Sequence, residues 1–149
     1  MPLPIFREDG WLPGGHHTAD WTEIVVRFGG EPESRRRIIL ASLLKWRDAA
    51  RTQKMAGLII LDGSFIPSRE NPGDFDLIFS YDTATEALLQ EEPQARALSD
   101  YQMCHALGFL GDIFALPESL KQLSPKLSGM DMFDFDRHGT PKGVIEVIL

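Results

Sequence analysis

Leu58-Ile59-Ile60-Leu61-Asp62-Gly63-Ser64, nine further residues, and then Asp74-Phe75-Asp76-Leu77-Ile78-Phe79-Ser80-Tyr81 form the part of the chain that decides the fold. A short, wholly apolar run after Gly57 predicts a strand over 58–61 buried on both faces. Asp62-Gly63-Ser64 closes it. From Phe65 to Gly73 the chain turns polar and proline-rich, and Asn71-Pro72-Gly73-Asp74 fits a type II turn with Pro and Gly at its central positions. A second strand over 74–81 is expected to follow directly. Alternate side chains of a strand share a face, so Asp74, Asp76 and Ile78 should point one way and Phe75, Leu77, Phe79 and Tyr81 the other, into a core.

Outward from this pair, the strongest helical signal lies before it. Between Glu33 and Met55, Ile39, Leu43, Trp46 and Ala50 recur at spacings of four, three and four, which predicts a helix with one apolar stripe that Gly57 ends. Further back, Thr18 or Asp20 is suited to cap a short helix through Ile24, Val25 and Phe28. Residues 1–17, rich in Pro and Gly, read as an irregular arm. After Tyr81, Asp82-Thr83-Ala84-Thr85 opens a helix, and Pro93 divides it from another reaching His105. Gly111 to Leu116 reads as a third strand. Pro117 begins a short helix, a mixed stretch runs to Phe135, a turn follows from Asp136 to Gly143, and Val144 to Leu149 is the last strand. The expected architecture is one α/β or α+β domain spanning 1–149, its sheet backed by helices.

Composition narrows the function classes. The chain has 149 residues, 43% of them hydrophobic, and 15 Lys plus Arg against 22 Asp plus Glu, a formal charge of −7. An acidic total argues against broad binding to nucleic acid, which depends on cations that neutralise phosphates. No apolar run approaches the roughly 20 residues that cross a bilayer, and the N-terminal stretch lacks the pattern of a secretion signal, so a cytoplasmic protein with no membrane partner is expected. The single Cys104 can form neither an internal disulfide nor a cysteine zinc site.

Chemistry concentrates at the strand mouths. Two carboxylates on one face of an apolar strand repel each other and lose solvation, which raises at least one pKa unless a cation lies between them. Magnesium suits such a site because it takes oxygen ligands and keeps positions for substrate phosphates. Asp112, at the start of the third strand, shares a face with Phe114 and Leu116 and is placed to reach the same ion. Gly63 lets backbone approach a phosphate and Ser64 adds a hydroxyl donor.

These residues resemble a known superfamily. Leu61-Asp62-Gly63-Ser64, a nine-residue spacer and Asp74-Phe75-Asp76-Leu77 are similar to the signature of the DNA polymerase beta-like nucleotidyltransferases: Gly-Ser, a spacer, then Asp-x-Asp. With Leu12-Pro13-Gly14-Gly15-His16 and the terminal Gly139-Thr140-Pro141-Lys142-Gly143-Val144-Ile145, they also resemble a family of small proteins of unassigned function placed in that superfamily. The resemblance implies a nucleotidyltransferase-like mixed sheet. It implies transfer of a nucleoside monophosphate from a nucleoside triphosphate to an acceptor hydroxyl by a two-metal mechanism using Mg2+ or Mn2+. Asp74, Asp76 and Asp112 would be catalytic and metal-binding; Gly63 and Ser64 would hold the triphosphate. Arg69, the only cation of the spacer, and Lys142, on a turn able to reach a phosphate, complete the expected nucleotide-binding set. Unlike minimal members that act as antitoxins, the chain has Phe65-Ile66-Pro67-Ser68 after Gly-Ser instead of an arginine-rich stretch. An alternative from another class is a non-catalytic antitoxin or phage-defence protein that keeps the fold and binds a partner protein such as a toxin.

The remaining polar residues carry plainer expectations. His16 and His17 are expected to be solvated, His105 to pack, Trp46 to fill the core, and Arg35-Arg36-Arg37 to lie on a helix surface. Asp62 would suit a phosphatase nucleophile, but such enzymes need a second Asp where Ser64 stands. The glycine and hydroxyl that flank a Walker lysine are missing around Lys142.

Overall fold

The computed structural model describes residues 3–63, 65–68, 72–119 and 142–149. The connection out of the N-terminal arm is a short strand, β1 (Gly15–Thr18), followed by α1 (Trp21–Phe28) and the long α2 (Arg35–Thr52). Then come β2 (Gly57–Asp62), β3 (Phe75–Tyr81), three short helices α3 (Thr83–Glu91), α4 (Pro93–Leu98) and α5 (Tyr101–Ala106), and the strands β4 (Gly111–Pro117) and β5 (Gly143–Ile148). The result is an α+β architecture with a five-stranded mixed sheet in the order β1-β5-β2-β3-β4.

Local chemistry accounts for the helix starts. Asp20 caps α1 by accepting from the Glu23 amide at 2.8 Å, Ser34 caps α2 by accepting from Arg37, and Asp82 caps α3 by accepting from Thr85. Pro93 opens α4, where its missing N–H costs nothing. Asp100 then caps α5 by accepting from Met103, so the stretch expected as one helix reaching His105 is two.

The helices cover one face of the sheet. Ile24 and Phe28 of α1, the α2 stripe Ile39, Leu43, Trp46 and Ala50, and Leu98 and Cys104 pack with Leu61, Phe75, Leu77, Phe79, Ile113, Ile145 and Val147. Trp46 stands edge-on to Phe79 with ring centroids 5.6 Å apart, and its indole N–H donates to the Leu98 carbonyl at 2.9 Å. Ile60, Ile78 and Val144 form a smaller buried cluster on the other face, with Leu116 against it. The strand predicted over 58–61 is thus buried on both faces toward its end, and β3 divides its side chains as the alternation requires.

One expectation is corrected. The N-terminal arm is not irregular to residue 17: Gly15–Thr18 runs parallel to β5, Gly15 beside Gly143 and Thr18 beside Glu146. Backbone pairing with a strand more than a hundred residues away fixes it, a contact that local composition does not encode. The mixed stretch and the turn expected between 120 and 141 lie outside the described residues.

Strand directions gather the chemistry at one end of the sheet. β2 runs antiparallel to both β3 and β5, and β3 runs parallel to β4. The end of β2 therefore meets the starts of β3, β4 and β5. Asp62, Asp76, Asp112 and Lys142 all sit at that end.

Candidate metal and nucleotide centre

Register sets three carboxylates in a row. Asp62 pairs with Asp76 across β2 and β3, and Asp76 pairs with Asp112 across β3 and β4. Directly paired residues point to the same face, and neighbouring strands lie about 5 Å apart. Asp74, just before β3, adds a fourth carboxylate. One oxygen from each of Asp74, Asp76 and Asp112 lies within 4.8 Å of the others, and all three side chains are half-buried.

A basic side chain holds each end of the row. Lys142 Nζ lies 2.6 Å from Asp62 Oδ2, with Asp62 only 1% exposed, and the same ammonium stands 4.9 Å over the Trp11 ring. At the other end His105 Nε2 is 2.6 Å from Asp112 Oδ1. Asp76, in the middle, has neither. Burial, reinforced by the charges of Asp74, Asp112 and Asp62 and only partly opposed by Lys142, pushes its carboxyl up to about 7. Asp74 is also raised, by burial and then by Asp112, against His105 and Arg35.

Gly63 explains itself in this setting. Its backbone is left-handed, φ 85°, and a Cβ there would come within 2.8 Å of the Asp76 amide nitrogen and 3.1 Å of Asp76 Oδ2. The glycine lets the β2 end lie directly against the central carboxylate. The expected space beside its Cα is filled by Asp76, which leaves only the Gly63 backbone to offer to a ligand. Ser64 and Arg69, two of the expected nucleotide contacts, lie outside the described residues. Lys142, expected to meet a phosphate, has its ammonium on Asp62.

The arginine triplet does more than cover a helix. Arg35 donates to the Gly73 carbonyl at 2.8 Å and to that of Pro72. Arg36 donates to the carbonyls of Phe28, Phe65 and Pro67, and Arg37 to those of Gly29 and Gly30. Two of the three thus tie the start of α2 to the connection between β2 and β3, the segment that sets Gly63 against Asp74 and Asp76. Arg35 and Arg37 are exposed on the helix as expected and Arg36 is partly buried, and all three guanidiniums also donate to backbone carbonyls outside α2. His105, expected to pack, does so against the Tyr101 ring and also touches Asp112 from the last turn of α5. Its position seven residues before Asp112 was the available signal, usable only once a tight α5 to β4 connection is known. His16 and His17 lie on β1, at the far edge from β4; His16 Nδ1 is 2.7 Å from Glu146 and His17 Nε2 2.7 Å from the Pro13 carbonyl.

An all-oxygen, half-buried donor set with excess negative charge fits a hard divalent cation such as magnesium. The His105 contact is the kind of outer hydrogen bond that orients a ligating carboxylate. No described helix is long and apolar enough to cross a membrane. No curated protein and no solved structure matches the chain. The profile of a family of unknown function, DUF6932, matches residues 4–148, and the chain belongs to that family.

Proposed function

We propose that this protein is a minimal, cytoplasmic nucleotidyltransferase that moves a nucleoside monophosphate from a nucleoside triphosphate to an acceptor hydroxyl with Mg2+ or Mn2+. The observation that supports this best is the convergence of Asp74, Asp76 and Asp112 within 4.8 Å, beside a glycine at which any side chain would collide with the central acid. The sequence resemblance to the DNA polymerase beta-like superfamily points the same way.

Asp74, Asp76 and Asp112 would hold the metal. When bound, it neutralises the triphosphate and makes the acceptor hydroxyl more acidic. The residues of this chain do the rest. Asp76, bracketed by acids, carries the charge deficit that draws a cation in. Gly63 offers backbone to the phosphates on the β2 side. Asp112, held by His105, takes the acceptor proton as the new oxygen–phosphorus bond forms and the bond from the α-phosphorus to pyrophosphate breaks.

The test is labelling of acceptors in a cell extract from each α-labelled triphosphate with manganese. Asp76→Asn should abolish labelling with the fold intact, and labelling retained in that variant would sink the assignment. A thermal shift with Mg and ATP that vanishes in Asp74→Ala supports nucleotide binding. No shift with any of the four triphosphates would instead favour the non-catalytic, partner-binding reading.

A further inference from the structure

Next to Asp112 the structure builds a closed set of four side chains. Asp112 meets His105 at 2.6 Å, His105 packs edge-on against Tyr101 with ring centroids 4.8 Å apart, and Tyr101 stacks on Phe114 at 5.3 Å and 24°. Phe114 closes the set because it is two residues beyond Asp112 on β4 and shares its face. Tyr101 and His105 are one helical turn apart on α5, so both reach the same side. Two large rings are thereby locked to a candidate catalytic acid. They remain open to water, Tyr101 44% and Phe114 41% exposed.

We infer that the Tyr101–Phe114 pair is the acceptor shelf, and that it takes the base of a nucleoside whose sugar hydroxyl is the acceptor. The inference rests on the proposed nucleotidyl transfer and names its acceptor class. Direction comes from in-line displacement, in which the attacking and leaving oxygens lie on opposite sides of the phosphorus. With the triphosphate along the Gly63 backbone, as the proposed transfer would have it, the leaving pyrophosphate lies on the β2 side of Asp76. The attacking hydroxyl therefore enters on the β4 side, over Asp112.

Spacing selects the class. Phe114 stands two positions along the strand from Asp112, about 7 Å away, so a ring on the shelf reaches Asp112 only through a spacer of roughly a sugar's length. Phenols place the hydroxyl on the ring itself and are too short. Charge selects further: four carboxylates gather here on a chain of net charge −7, which repels a polyanionic strand and favours an acceptor without phosphate. The nucleoside oxygen bonds to the α-phosphorus, pyrophosphate leaves with its bridging oxygen, and the hydroxyl proton departs through Asp112. The products are a dinucleoside phosphodiester and pyrophosphate.

The experiment follows the ring resonances of Tyr101 and Phe114 by NMR in the full chain, with magnesium and a non-hydrolysable ATP analogue at saturation, while adenosine is titrated. Both rings should shift saturably, Phe114→Leu should weaken adenosine binding by about tenfold, and phenol should bind more weakly than adenosine. Rings that do not move would overturn the shelf. So would contacts from side chains of residues 120–141 to these rings in the free protein, or tighter binding of a short oligoadenylate than of adenosine. Manganese broadening of the Asp76 and Asp112 amides reads the metal site separately. If that broadening is absent while the rings still shift, the transfer reading fails and a nucleoside site remains.

Discussion

Asp76 lies directly opposite Asp112 across the parallel β3–β4 ladder, so two acids from strands separated by three helices face the same solvent-reached corner. Without a cation that juxtaposition is unfavourable. Asp76→Asn should raise the stability of the metal-free protein by about 1 kcal/mol, since it removes one of several like charges at a half-buried position. The same variant should lose the gain in melting temperature that magnesium gives the native chain. Equal stabilisation of both by magnesium would place the ion elsewhere.

The raised carboxyl of Asp76 also sets a pH dependence. With a folded value near 7 against an unfolded value near the ordinary 3.8, the folded state binds more protons between those limits. Stability of the metal-free protein therefore falls as pH rises from about 4 to about 7. After allowance for solvent at this site, the loss amounts to about 1 kcal/mol, or about 2–4 °C in Tm. Melting curves at pH 5 and pH 8, with chelator and then with magnesium, check it: magnesium should restore the loss at pH 8 and do little at pH 5. A metal-free protein more stable at pH 8 than at pH 5 would refute the sign.

Lys142 and Asp62 form a pair that cannot be broken from one side. Asp62 is 1% exposed and the Lys142 side chain 11%. Lys142→Met leaves a buried carboxylate without its ammonium and should cost about 3–5 kcal/mol. Adding Asp62→Asn should return most of it. Denaturant midpoints of the two variants measure the difference, and a single variant as stable as the native chain would show the pair to be dispensable.

Arg36 should behave as a structural clamp. Its guanidinium serves the carbonyls of Phe28, Phe65 and Pro67, so Arg36→Met strips partners from three backbone oxygens, one at the end of α1 and two in the connection after β2. A cost of about 2 kcal/mol is expected, with faster proteolysis in the connection between β2 and β3. Unchanged cleavage there would separate Arg36 from the placement of Gly63.

Trp46 combines packing with a hydrogen bond. Trp46→Phe loses volume against Phe79 and leaves the Leu98 carbonyl without its indole donor, for a cost of about 2–3 kcal/mol. The chemical denaturation midpoint should fall while magnesium binding is retained. Loss of magnesium binding at this distance would mean that the core and the acidic corner are coupled more tightly than their packing implies.

Much of this protein was legible one residue at a time. The apolar run before Asp62, the alternation through β3 and the stripe from Ile39 to Ala50 depend on periods of two and of three to four residues, which any local reading recovers. Asp74, Asp76 and Asp112 were likewise visible as acids at strand starts. The roles of Arg36 and His105 were not, because a guanidinium's acceptors and an imidazole's partner come from segments whose approach no periodicity records.

By itself the order of residues determined that the stretches of β2 to β5 extend, that α2 coils, and that acids would stand at the mouths of apolar strands, since those outcomes follow from side-chain period and backbone preference, whereas β1 did not follow from them. Only the tertiary structure decided that β5 inserts between β1 and β2, that Lys142 closes on Asp62, and that Asp62, Asp76 and Asp112 share one row. Strand order and register are settled by burial and pairing across the whole sheet, and a shift of one residue would have turned the same acids to the opposite face.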